Sequence, residues 1–370
     1  MIKEGDVVTS KEAMKLALKE AKKGHGFVSP NPLVGCTIVD KNHNFLSVGA
    51  HLKFGEAHAE VNALNKIKDK TKLKGATVYV TLEPCAHSGK TGACAEALSQ
   101  YPIKKIVYGT LDPNPLVAGK GLSILEKAGV EIGHYQTMEP RCVELCEQFL
   151  FHMKQKQPFV SIKIATSLDG KIALINGDSQ WITSPESRLH SRNLRAHYDA
   201  TMIGAGTFLN DNPHLDFRDT TFEGRKENRI VILDPKGKAA ERFSGSHLEK
   251  KHKSQNIYVL SREENLSSWK GQSVNLIPWN NTPVGWEVSM KKLYEAGIYS
   301  LFVEGGAYAI SQLLQFKRVQ KLYLYQAPKI LGYGKSWSDY YKIQSVSEAL
   351  TLRKWESQAL EHDRFNTGWF

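Results

Sequence analysis

Short apolar runs alternate with amphipathic stretches along the whole chain. Thr9 and Glu12 form the pair of a capping box, and Ala13, Leu16, Ala17 and Ala21 follow on one face of a first helix. "FVSPNPLVGCTIVD" (27–40) reads as a proline-punctuated turn feeding a buried strand. A helical stretch runs from about Ala57 to Lys68, and apolar strands are expected at "ATVYVTL" (76–82), "IVYGT" (106–110) and "VEIGHY" (130–135). Strands alternating with helices predict a largely parallel α/β sheet. "PRCVELCEQFLFHMKQKQ" (140–157) predicts a helix begun by Pro140, with a domain boundary inside it.

The pattern then restarts. "FVSIKIATSLDG" (159–170) predicts a strand, and Ser184-Pro185 is an N-cap and N1 pair opening a helix to about Ala196. Further strands are expected at 200–204, 229–234, 256–261, 299–306 and 319–327, while the polar segments 216–228 and 236–255 predict loops. The expectation is two α/β domains, residues 1–150 and 151–370.

Composition narrows the class. A length of 370 residues suits two domains, and 41% hydrophobic with 24% charged residues suits a soluble protein with real cores. The amino-terminal stretch lacks the apolar run of a signal peptide, and no stretch reaches the ~18 apolar residues of a membrane helix. A cytoplasmic protein without membrane partners is expected. Five cysteines are few and odd in number, which argues against a disulfide framework and for metal binding or chemistry. The net charge of +11 suggests anionic partners, without separating nucleic acid from small phosphates.

The candidate chemistry lies in "HAE" (58–60) and "EPCAHSGKTGAC" (83–94). A catalytic zinc takes three protein ligands and leaves a position for water. His58, Cys85 and Cys94 supply three, and Glu60 is placed to reach that water and shuttle its proton. Pro84 is expected in the first turn of a helix, with Cys85 at its positive end. H-x-E with Pro-Cys and a second Cys is the signature of zinc nucleobase deaminases, in which zinc brings the pKa of its water toward ~7. Cys36, Cys142 and Cys146 lack such company and read as core thiols. The insert between Cys85 and Cys94 adds His87, Lys90 and Thr91, donors suited to a phosphate or a polar ring.

In the second half, "GAGTFL" (204–209) is an incomplete dinucleotide fingerprint, and "VEGG" (303–306) sets a glycine pair after a strand, where backbone amides can approach a pyrophosphate.

The chain resembles the bifunctional riboflavin-biosynthesis deaminase/reductase family. The resemblance is carried by "SPNPLVGC" (29–36), "GAHLKFGEAHAE" (49–60), "EPCAHSGKTGAC" (83–94), "DPNPLVAGKG" (112–121), "KIATSLDGKIA" (163–173), "GDSQWITS" (177–184), "LNDNPHLDFR" (209–218) and "LFVEGG" (301–306), in family order. It implies an amino-terminal cytidine-deaminase-like domain and a carboxy-terminal dihydrofolate-reductase-like domain. The first would deaminate 2,5-diamino-6-ribosylamino-4(3H)-pyrimidinone 5′-phosphate with Zn2+. The second would reduce the ribosyl group with NADPH, giving 5-amino-6-(5-phospho-D-ribitylamino)uracil.

By the same resemblance, Asn31, His51 and His87 line the deaminase pocket. Ala165, Trp181, Thr207, Asp211 and Gly306 match NADPH contacts, while Ser179, Arg195, Leu215, Arg218 and Glu304 match substrate contacts. Guanidinium forks at Arg195 and Arg218 suit a phosphate dianion. Lys163, Asp211 and Glu304 are the ionisable catalytic candidates, Lys163 as proton donor and the two carboxylates as sugar-orienting groups. Asp216 stands where the family usually has Thr, Lys90 where it has Arg, Gly92-Ala93 where it has a Pro pair, and Cys146 where it has Asn. The partner expected is a phosphorylated pyrimidine, with no nucleic acid, and a homo-oligomer formed through the reductase domain.

Two other readings fit parts of the chain. A nucleic-acid-editing deaminase with an appended binding domain suits the charge, but calls for Pro-Cys-x-x-Cys and interleaved aromatic and basic stretches, and neither is present. A second domain serving only dimerisation is at odds with Lys163, Asp211 and Glu304 standing together.

Overall fold

The computed structural model describes residues 2–86, 92–113 and 119–370. The chain divides into two compact units, Met1–Lys156 and Gln157–Phe370. The division falls after Lys156 rather than at 150, because the last helix of the first unit continues to Gln155 and is closed by Lys156 in the left-handed region, φ 55°.

In the first unit, α1 (Ser10–Ala21) carries the expected capping box: Thr9 accepts from the Glu12 N–H, and the Glu12 side chain accepts from the Thr9 N–H. It buries Ala13, Met14, Ala17, Leu18 and Ala21. Then follow β1 (Gly35–Val39), β2 (Phe45–Ala50), α2 (Ala59–Lys66), β3 (Thr77–Val80), α3 (Cys94–Ser99), β4 (Lys105–Tyr108), α4 (Lys120–Lys127) and β5 (Glu131–His134). The sheet order is β2-β1-β3-β4-β5. It is mixed, not largely parallel. β1 runs antiparallel to both β2 and β3, and only β3, β4 and β5 are parallel. A tight turn, in which His43 takes φ 62° and Asp40 accepts from the Asn42 and Asn44 N–H groups, folds β2 back on β1. The single helix expected over 140–157 is two, α5 (Glu139–Leu145) and α6 (Glu147–Gln155), broken at Cys146 where φ is −98° and ψ 9°.

The second unit holds β6 (Phe159–Thr166), β7 (Lys171–Leu174), α7 (Pro185–Arg195), β8 (Ala200–Gly204), α8 (Ala205–Asp211), β9 (Arg229–Leu233), α9 (His247–Lys251), β10 (Ile257–Ser261), β11 (Asn275–Pro278), α10 (Pro283–Glu295), β12 (Ser300–Glu304), α11 (Ala307–Gln315), β13 (Lys321–Gln326), β14 (Gly334–Ser336), β15 (Lys354–Leu360) and β16 (Asp363–Trp369). Ser184 caps α7 through the Ser187 N–H, with Pro185 at the first helical position, as its sequence requires. The main sheet runs β11-β10-β9-β8-β12-β6-β13-β16-β15, parallel except that β16 is antiparallel to β13 and to β15. β7 and β14 form a separate antiparallel pair.

The segments expected to be plain loops are anchored by widely spaced apolar residues, and the second of them contains α9. Phe217, Phe222, Phe243 and Leu248 are buried, and Phe243 and Leu248 join Trp269 in one core cluster. Among the described residues, no helix is long and apolar enough to cross a membrane.

Candidate active sites

The first site gathers at one end of α2. His58 is the N-cap of this helix and Glu60 lies in its first turn. The side-chain donors of His58, Cys85 and Cys94 all lie within 4.8 Å of one another. His58 Nδ1 is 3.6 Å from Cys85 Sγ and 3.3 Å from Cys94 Sγ. No helix begins at Pro84. The residue at a helix start is Cys94, the first of α3, and its N–H donates to Cys85 Sγ at 3.3 Å. Ala93 offers no side-chain cap, so Cys85 serves that end instead: its sulfur takes the Cys94 N–H and its carbonyl the Ala95 N–H.

One imidazole, two sulfurs and a backbone N–H on one sulfur form a donor set that fits zinc. The Cys94 thiol's hydrogen bond, aided by His58, holds Cys85 well below the ordinary thiol range, and Cys94 is correspondingly pushed up. The hydrogen bond to Cys85 raises His58. Burial, reinforced by the charge on Cys85, pushes Glu60 up to about 7.

His51 packs edge-on to His58, with ring centroids 5.0 Å apart. His51 Nδ1 donates to the Ala57 carbonyl at 3.1 Å, so Nε2 is the acceptor for Asn31 Nδ2, also at 3.1 Å. This bond leaves the carbonyl oxygen as the acceptor of the Asn31 amide. Burial keeps His51 low and neutral. His87, with Lys90 and Thr91, lies outside the described residues.

The second site is a charge cluster on the main sheet. Lys163 on β6 and Glu304 on β12 are direct register partners on neighbouring parallel strands. Their charged atoms are 3.7 Å apart, and Arg195, the last residue of α7, donates from Nε to the same carboxylate. Burial pushes Glu304 up, but Arg195 and then Lys163 outweigh it and hold the carboxyl below its usual range. Burial also lowers Lys163, against the pull of Glu304. Arg195 is buried and donates from Nη1 to the Asp216 carbonyl at 2.7 Å.

Beside this cluster the two weak glycine signals of the sequence meet. Gly204 caps α8 after β8, and Gly305 and Gly306 follow β12, its neighbour in the sheet. Both glycines take positive φ, 80° and 78°, and a Cβ on Gly305 would lie 3.1 Å from Thr207 Oγ1. Glycine backbone at the carboxyl ends of parallel strands suits the approach of a dinucleotide phosphate.

Two sequence models match, the cytidine and deoxycytidylate deaminase zinc-binding region over residues 8–110 and the RibD C-terminal domain over 158–364. The riboflavin biosynthesis protein RibD of Aquifex aeolicus is 38% identical over 365 residues, 98% of this chain and 98% of its own. That of Escherichia coli strain K12 is 36% identical over 330 residues, covering 86% and 88%. The chain belongs to the RibD family. Among solved structures, a diaminohydroxyphosphoribosylaminopyrimidine deaminase/5-amino-6-(5-phosphoribosylamino)uracil reductase of Thermotoga maritima superposes with a TM-score of 0.83 at 33% identity, over 97% of this chain and 98% of that one. RibD of Acinetobacter baumannii gives 0.81 at 32%, over 97% and 98%. The first unit is thus a cytidine-deaminase-type zinc domain and the second a dihydrofolate-reductase-like domain, in one bifunctional riboflavin-biosynthesis enzyme. The editing-deaminase alternative gives way, since the RibD relatives match across both domains.

Within this RibD framework the remaining expected residues are spread. Ala165 is on β6 and Thr207 in α8, whereas Asp211 is exposed at the end of α8. Ser179 is exposed. Trp181 is 62% exposed, with Arg188 4.2 Å over its ring. Leu215 is buried at φ 49°. Arg218 is exposed and its Nη1 pairs with Asp216 Oδ1 at 2.6 Å, so this carboxylate engages the guanidinium expected to meet phosphate. Sequence reasoning missed Asn228, buried at 3% exposure, whose amide donates to the Leu215 carbonyl at 2.8 Å and to Thr201 Oγ1 at 2.9 Å. A lone Asn before a strand carries no signal for that task.

Proposed function

We propose that the first unit hydrolyses the 2-amino group of 2,5-diamino-6-ribosylamino-4(3H)-pyrimidinone 5′-phosphate, and that the second reduces the ribosyl group of the product with NADPH. His58, Cys85 and Cys94 would hold zinc. When bound, zinc acidifies a water toward about pH 7 and so supplies the nucleophile. Glu60, buried beside the two sulfurs, takes up that proton and returns it to the leaving ammonia. The carbonyl of Asn31 accepts from the pyrimidine, and His51 fixes the Asn31 amide.

In the second unit, Gly305 and Gly306, with Thr207 and Ala165, would hold NADPH, whose nicotinamide would be the source of the hydride. Lys163, with a lowered pKa, protonates the sugar oxygen. Glu304 orients the sugar and balances Arg195 and Lys163. Arg195 and Arg218 bind on the phosphate side, Arg218 after exchanging Asp216 for the ligand. Asp211 and Ser179 line the rim, and Trp181 covers the nicotinamide.

The observation that carries this reading is the convergence of one imidazole and two sulfurs at the start of α2, in a chain whose other half sets Lys163 opposite Glu304. Ile330, Tyr333 and Val346, exposed on the second unit at 75%, 87% and 89%, support a homo-oligomer formed through that unit. The cytoplasm is the compartment that suits reduced thiols at a zinc site.

The test supplies the diaminopyrimidine nucleotide with NADPH and follows ammonia and NADPH absorbance together. Equal yields of ammonia and oxidised cofactor are expected. Ammonia without cofactor oxidation would refute the reductase assignment.

A further inference from the structure

The turn that presents Asn31 is gripped from the far end of the first unit. Asn31 donates its N–H to the Val28 carbonyl at 2.8 Å and its amide to His51. The Pro30 and Leu33 carbonyls flank it, and each accepts from a side chain more than a hundred residues away in sequence. His152 Nε2 lies 3.2 Å from the Pro30 carbonyl, and Cys146 Sγ 3.2 Å from that of Leu33. A carbonyl only accepts, so His152 carries its proton on Nε2. His152 is 3% and Cys146 2% exposed, and Phe149 packs edge-on to the imidazole at 5.5 Å. Burial pushes the Cys146 thiol up and keeps it an S–H donor. Cys146 is also the break between α5 and α6, and His152 lies in α6.

We propose that Cys146 and His152 are positioning residues for the deaminase: they hold the carbonyls on either side of Asn31 and so set where its amide and carbonyl meet the pyrimidine. This rests on the reading of Asn31 as a pocket residue. Neither side chain contributes to the metal's donor set, so loosening the grip changes substrate placement and leaves zinc bound.

In the full-length protein, His152→Ala is expected to raise the deaminase KM about five- to tenfold, the worth of one well-placed hydrogen bond, with kcat changed less than about twofold. Zinc content and NADPH oxidation stay at their parent values. His152→Gln, whose amide nitrogen reaches close to the Nε2 position, restores KM. In an Asn31→Ala background, His152→Ala adds nothing further.

A raised KM for Asn31→Ala beside an unchanged KM for His152→Ala overturns the grip and leaves the pocket reading standing. An unchanged KM for Asn31→Ala overturns the pocket reading and the grip with it. Should His152→Ala lose zinc, Cys146→Ala and Cys146→Ser decide: a KM raised in the first and restored in the second supports the proposal, and equal values overturn it.

Discussion

The two active sites are assembled in opposite ways. In the first unit the candidate chemistry comes from short motifs whose three soft or borderline donors lie within 4.8 Å of one another, as a metal would demand. In the second unit, Lys163, Arg195 and Glu304 lie far apart in sequence and meet because β6 and β12 are parallel neighbours in register, with the end of α7 above them. A metal site can be read from residue types and spacing. A charge cluster on a parallel sheet can be read only once strand order is known.

The largest effect should come from breaking the first site alone. His58→Ala removes one of three zinc donors, so metal analysis should find the deaminase unit without zinc and ammonia release abolished. Reduction of the deaminated nucleotide should continue, since Lys163, Arg195 and Glu304 are untouched. The converse change, Lys163→Met, should lower NADPH oxidation by about 10²–10⁴-fold, the usual worth of a general acid, and leave ammonia release unchanged.

A smaller effect should follow Asn228→Leu. The variant leaves the Leu215 carbonyl without its buried donor, which costs about 1–3 kcal/mol in the second unit's urea transition and weakens reductase substrate binding only. Smallest is Thr9→Ala, which removes the cap of α1 and should shift only the first unit's transition, by about 1 kcal/mol. A single shared transition moving in both cases would mean that the units unfold as one.

Local signals were legible where one residue type answers one backbone need. Thr9 with Glu12 and Ser184 with Pro185 mark helix starts because orphan N–H groups at those ends need partners. The apolar runs of β3, β8, β9 and β10 could be read because these strands are covered by the core. Pro84 misled, since proline suits a loop as well as a first helical turn, and the N–H groups at the true helix start are met by the sulfur and carbonyl of Cys85. β15 was invisible: almost every residue of "KWESQAL" is exposed, so neither face carries an apolar pattern. Strand pairing was equally hidden, because the antiparallel placement of β1 beside β3 depends on contacts far apart in sequence. Asp216 stood out as a departure in the sequence, but its pairing with Arg218 required the 2.6 Å contact to be seen.

Zinc content and ammonia release measured together on Glu60→Gln test the central claim most directly. The carboxylate lies beside the donor set without belonging to it. The variant should therefore keep about one zinc per chain, as a three-ligand site requires, and release no ammonia from the diaminopyrimidine nucleotide, while still oxidising NADPH on the deaminated product. Ammonia release at the parent rate, with zinc in place, would contradict the role given to Glu60 and with it the account of the first unit.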